Sequence, residues 1–129
     1  MTKDEIVQAI HTALRCKPHK AMSGNCARFA VALNKALGGD GEYCIVDGDH
    51  PEYVDHVVLK FEGAYYDGNG RVTVADIRSE WGRSPSSSGC DDDEILRLVD
   101  DSDCYGPQID IDEMSERIAD ALPARAPTP

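Results

Sequence analysis

The chain has 129 residues, with 24 acidic side chains against 13 basic ones and a net charge of -11, a length that suits one domain with an ordinary core. The charge is uneven: residues 1–90 carry twelve acids against ten bases, and residues 91–129 twelve against three. That balance excludes direct nucleic-acid binding, which needs clustered Lys and Arg. The lack of any run of about eighteen apolar residues, or of a basic-then-apolar leader, argues against a membrane span or export and sets the expectation of a cytoplasmic protein.

In chain order, Thr2-Lys3-Asp4-Glu5 has capping-box character, and Ile6, Ile10, Ala13 and Leu14 recur at helical spacing, predicting a first amphipathic helix over 3–15. The basic, proline-containing stretch Arg15-Cys16-Lys17-Pro18-His19-Lys20 reads as a solvated connection. From Cys26 a second helix begins. Phe29, Ala30, Leu33, Ala36 and Leu37 hold its apolar face, with Arg28, Asn34 and Lys35 opposite, and Gly38-Gly39 ends it.

Glu42-Tyr43-Cys44-Ile45-Val46 and Asp55-His56-Val57-Val58-Leu59-Lys60-Phe61 read as strands. In the second, the period of two puts His56, Val58 and Lys60 on one face and Val57, Leu59 and Phe61 on the other. Glu62-Gly63 is a tight reversal, after which Ala64-Tyr65-Tyr66-Asp67 returns antiparallel until Gly68-Asn69-Gly70 breaks it. Pairing of this hairpin alone brings Asp67 roughly level with His56 or Val57. Thr73 caps a short helix carrying Ile77 and Trp81, and residues 83–90 have the composition of a flexible loop. Residues 94–99 read equally as a strand or a helical turn. Asp110 caps a last helix with the stripe Ile111, Met114, Ile118 and Leu122.

The expected architecture is one α+β domain: N-terminal helices on a small antiparallel sheet in residues 1–82, the loop 83–90, and an acidic extension 91–129 with a terminal helix, packed as part of the same domain.

The five cysteines, Cys16, Cys26, Cys44, Cys90 and Cys104, are odd in number and read as mostly reduced thiols. None forms a C-x2-4-C pair, so no zinc site is assigned. Asp67-Gly68-Asn69-Gly70 imitates the start of a calcium loop but fails at Arg71, Val72 and Arg78, and no metal or other cofactor is expected.

A nucleophilic cysteine needs a stabilised thiolate, a base within reach and a third group that fixes the base. Cys26 at a helix N-terminus, His56 at the start of a strand and Asp67 at the end of the next supply those types in that order. The stretches Gly24-Asn25-Cys26-x-x-Phe29-Ala30-x-Ala32-Leu33, Asp55-His56-Val57-Val58-Leu59 and Gly63-Ala64-Tyr65-Tyr66-Asp67-Gly68-Asn69-Gly70 resemble the core of transglutaminase-like and papain-like cysteine proteins, over roughly residues 20–82. The resemblance implies Cys26 as nucleophile, His56 as general base and then acid, Asp67 as the orienting acid, and acyl transfer or hydrolysis on a protein or peptide. The glutamine that papain-like proteins use as an oxyanion donor is absent before Cys26, and Ala27 stands where transglutaminases commonly place tryptophan. Asn25 is a candidate for the donor and equally for the helix cap. Tyr66 and Trp81 are candidate substrate contacts.

The rival reading is non-enzymatic. Asp91, Asp92, Asp93, Asp100, Asp101 and Asp103 then meet a basic partner surface, as an inhibitor or nucleic-acid mimic does.

Overall fold

The computed structural model describes residues 2–15, 25–47, 54–99 and 108–123. The basic stretch 16–20, Cys16, Cys104, Asp100, Asp101 and Asp103 lie outside the described residues. The chain runs α1 (Lys3–Ala13), α2 (Cys26–Ala36), β1 (Glu42–Asp47), β2 (Val54–Phe61), β3 (Ala64–Asp67), β4 (Gly70–Val72), α3 (Val74–Trp81), β5 (Ser86–Ser87), α4 (Asp92–Leu98) and α5 (Ile111–Ala121). The protein is mixed α and β, with a five-stranded antiparallel sheet in the order β4-β3-β2-β1-β5. Among the described residues no helix is long and apolar enough to cross a membrane.

Local signals set most of the boundaries. Thr2, Thr73 and Asp91 each form a reciprocal capping box, with Glu5, Asp76 and Glu94 respectively, so the first backbone N–H groups of α1, α3 and α4 are satisfied by side chains. Glu62 (φ 49°) and Gly63 (φ 80°) both take the left-handed conformation, which matches the twist of the β2–β3 hairpin. Residues 94–98 resolve as helix, with Val99 its extended C-cap: the capping box starts α4, and Ile95 is buried in the main core.

The two faces of β2 are buried differently. Val57, Leu59 and Phe61 join Phe29, Leu33, Ile6, Ile10, Ile95 and Ile118 in the main core, beneath the helices. Val58, on the His56 face, packs with Cys44, Val46 and Ile77 in a smaller cluster that α3 covers, with Trp81 at its margin. The sheet therefore lies between two helical layers.

Three expectations are corrected here. The 83–90 segment contains β5: Ser86 and Ser87 pair with Ile45 and Cys44, and the Ser88 N–H and hydroxyl both donate to the Tyr43 carbonyl. Gly70 does not end the sheet but opens β4, because Asp67 pairs with Gly70 across the Gly68-Asn69 turn. Asn34, placed on the polar face of α2, is buried, because the connection at Gly41 and Tyr43 of β1 pack against it.

Burial of Asn34 is met by hydrogen bonds. Its oxygen accepts from the Gly41 N–H at 2.8 Å, and its amide donates to the Tyr43 hydroxyl at 3.2 Å. Tyr43 in turn donates to Asp92. Burial, together with that acceptor, pushes the Tyr43 phenol well up, so the hydroxyl stays protonated and α2, β1 and α4 remain tied. Replacing Tyr43 by Phe leaves the Asn34 amide and Asp92 without this partner. We expect a loss of about 1–3 kcal/mol, seen as a lower urea midpoint with unchanged slope.

Candidate active site

Cys26 is the first residue of α2, and α2 is the one described helix of the five with no carboxylate in its first turn. The partial positive charge of that helix end is thus left uncancelled by neighbouring acids, beside a sulfur that favours negative charge. Cys26 itself is 8% exposed.

His56 and Asp67 come from the β2–β3 hairpin. The register pairs Phe61 with Ala64, Lys60 with Tyr65 and Leu59 with Tyr66. One further step sets Val58 opposite Asp67, so Asp67 and His56 are diagonal neighbours on one face, within reach of long side chains. The imidazole Nε2 lies 2.8 Å from Asp67 Oδ2, with His56 2% and Asp67 5% exposed. A carboxylate only accepts, so Nε2 carries the proton and Nδ1 is the ring nitrogen left for Cys26. On β1, Val46 pairs with His56 and Asp47 with Val54, leaving Asp55 as an extra residue just before the histidine. Such bulges increase local twist and re-aim the side chain that follows.

The second oxygen of Asp67 is also used. Oδ1 accepts from the Asn69 N–H at 2.8 Å, so the same carboxylate closes the hairpin turn and holds the imidazole.

Burial alone draws the His56 pKa down, since it penalises the cation. The hydrogen bonds to Asp67 and Cys26, and the negative charge of both groups, outweigh that and lift it to about 9. His56 is therefore an imidazolium at neutral pH. Trp81 stacks on it with ring centroids 5.0 Å apart and an interplanar angle of 15°, and an indole face attracts a cation.

The remaining expected site residues divide. Trp81 meets the site, but through the His56 ring rather than as a free platform for substrate. Tyr66 does not: at 1% exposure it is part of the main core and offers no surface to a ligand. Asn25 makes no side-chain cap on α2. Its oxygen accepts from the buried Ile109 N–H at 3.0 Å, while the Arg28 Nε donates to the Ile109 carbonyl at 2.7 Å. Asn25 is thus a support that clamps the C-terminal segment onto the first turn of α2. The oxyanion donors this helix end offers are its own first-turn backbone N–H groups.

Sequence reasoning missed the Ile109 clamp, because its partners are more than eighty positions apart, and it missed the turn bond of Asn69. The Asp-Gly-Asn-Gly composition carried a signal for the latter. Among the expected acidic contacts, Asp91 caps α4 and Asp92 accepts from Tyr43. A cavity of about 400 Å³ between α2, α4 and α5, lined by Arg28, Lys35, Asp92 and Asp110 among others, contains none of Cys26, His56 or Asp67.

No protein family, curated protein or solved structure matches the chain.

Trp81 is the only tryptophan, so its emission reports on the ring stacked against it. We expect the fluorescence to titrate with a midpoint near pH 9, and Cys26→Ala to move that midpoint down by removing one of the interactions that raise it. The same shift affects stability. The folded-state value lies above the free-histidine value of about 6.5, so this contribution is complete below pH 6.5 and is lost as pH rises through about 9. Thermal melts of wild type and His56→Ala at pH 6 and pH 10 test the sign: the gap between them should be larger at pH 6.

Proposed function

We propose that the chain is a cysteine-dependent acyl-transfer enzyme or hydrolase acting on a protein or peptide, with Cys26, His56 and Asp67 as its catalytic triad. The observation that supports this reading best is the buried His56–Asp67 pair, with Nε2 2.8 Å from the carboxylate and Cys26 near enough to help raise the imidazole pKa. The order and spacing of the three residues on a helix and the following hairpin, as in transglutaminase-like and papain-like proteins, support it further.

In this mechanism the Cys26 proton resides on His56, and the sulfur attacks the carbonyl carbon of an amide. The carbonyl electron pair moves to oxygen, where the first-turn N–H groups of α2 receive the negative charge. As the tetrahedral species collapses, the C–N bond breaks, His56 gives its proton to the departing amine, and a thioester on Cys26 remains. Water or a second amine then attacks the thioester, His56 takes its proton, and the returning sulfur completes the cycle. Asp67 keeps the ring oriented and its charge balanced throughout. Water as the second nucleophile makes the enzyme a protease or deamidase, an amine a transglutaminase-like enzyme. A reducing, cytoplasmic setting suits the chemistry, and Cys26, Cys44 and Cys90 are all free thiols.

The rival acidic-surface reading draws less support, since Asp91 and Asp92 have bonds within the protein.

The test is selective alkylation. At pH 6 an ordinary thiol with a pKa of about 8.5 is well under 1% thiolate, and burial pushes the Cys44 thiol up further. We expect a small alkylating reagent at pH 6 to modify Cys26 at least roughly tenfold faster than any other cysteine, with the preference abolished by His56→Ala and weakened by Asp67→Asn. Equal modification of all five cysteines contradicts the reading.

A further inference from the structure

The support for Asp67 does not end at its own turn. Asn69 donates its N–H to Asp67 Oδ1, and on the other side of the same residue the Asn69 carbonyl lies 3.3 Å from His11 Nε2, near the C-terminus of α1. Gly70 closes the turn with φ 100°. A Cβ there would stand 3.1 Å from Val7 Cγ1 and 3.2 Å from His11 Nε2, so α1 sits directly against the backbone that carries Asn69 and Gly70. A continuous chain of contacts results: α1 through His11 to Asn69, Asn69 to Asp67, and Asp67 to His56.

We infer that His11 is a positioning residue for the site: by donating Nε2–H to the Asn69 carbonyl it pins the β3–β4 turn against α1 and thereby fixes the Asp67 carboxylate on His56. The inference rests on the proposed role of Asp67 for its catalytic meaning, but its structural content does not. Three features carry it. The turn is a two-residue connection in which the backbone of Asn69 meets the carboxylate with its N–H and α1 with its carbonyl. The glycine at position 70 is favoured by its positive φ, and a side chain there would crowd Val7 and His11 of α1. The acceptor on Asn69 is a backbone carbonyl, so the ring nitrogen that meets it must carry a hydrogen.

The experiment compares His11→Gln, which keeps an N–H donor, with His11→Leu, which removes it, each alone and with Asp67→Asn. Two readouts are taken: the His56 titration midpoint by NMR, which needs no catalysis, and the rate of Cys26 alkylation at pH 6. His11→Leu is expected to lower the His56 midpoint and to slow alkylation by roughly two- to tenfold, the range that loss of one hydrogen bond sets. His11→Gln is expected to restore both, and in the Asp67→Asn background His11→Leu is expected to have no further effect, as residues acting through one another require. A His56 midpoint unmoved by His11→Leu, a loss that Gln does not restore, or an equal loss without Asp67 overturns the inference. If His11→Leu does not fold, the ring of wild-type His11 decides: a neutral-form proton on Nε2 supports it and one on Nδ1 overturns it. Failure of selective alkylation in the wild type removes the enzyme reading and leaves the midpoint test of His11 standing.

Discussion

An imidazole sealed from water has to shed its proton or find partners that keep it, and His56 keeps it. The 2.8 Å bond to Asp67 is the contact on which the rest of the site depends. Without it, burial would favour the neutral ring; with it, the ring has a fixed orientation and keeps its positive charge. Each surrounding feature then falls into place around that ring. The hairpin supplies imidazole and carboxylate from adjacent strands, α2 brings the thiol from the opposite layer, and α3 closes the far face with Trp81.

What was legible in the sequence was what local chemistry decides. Thr2 and Thr73 announced α1 and α3, Glu62-Gly63 announced the hairpin, and the alternation of β2 placed His56 away from the main core. Because a hairpin register follows from its turn, the nearness of His56 and Asp67 was readable before any tertiary contact was known. The rest depended on partners outside the element itself. Asn34 reads as a surface residue because helical spacing does not show that the chain turns back at Gly41 and lays Tyr43 against it. Ser86 and Ser87 have loop composition, and only the open edge of β1 makes them a strand. Tyr66 was offered as a substrate contact, yet alternation from Asp67 sends it to the opposite face and into the core.

The acidic last third reads differently once packed. Asp91 and Asp110 cap helices and Asp92 receives the Tyr43 hydroxyl, so part of the negative charge serves to start and fasten α4 and α5. Those helices cover α2, and the Ile109 backbone is gripped from both sides by Asn25 and Arg28, next to Cys26. The C-terminal segment is thereby part of the frame that holds the first turn of α2, the turn that begins with Cys26.

The central claim is that Cys26 forms an acyl bond with the help of His56. Intact-mass analysis after brief exposure to a small activated acyl ester, followed by peptide mapping, tests it directly. The account predicts a single acyl group, located on Cys26 in the wild type and missing from His56→Ala. Acylation spread evenly over the five cysteines, or unchanged on Cys26 when His56 is removed, contradicts it.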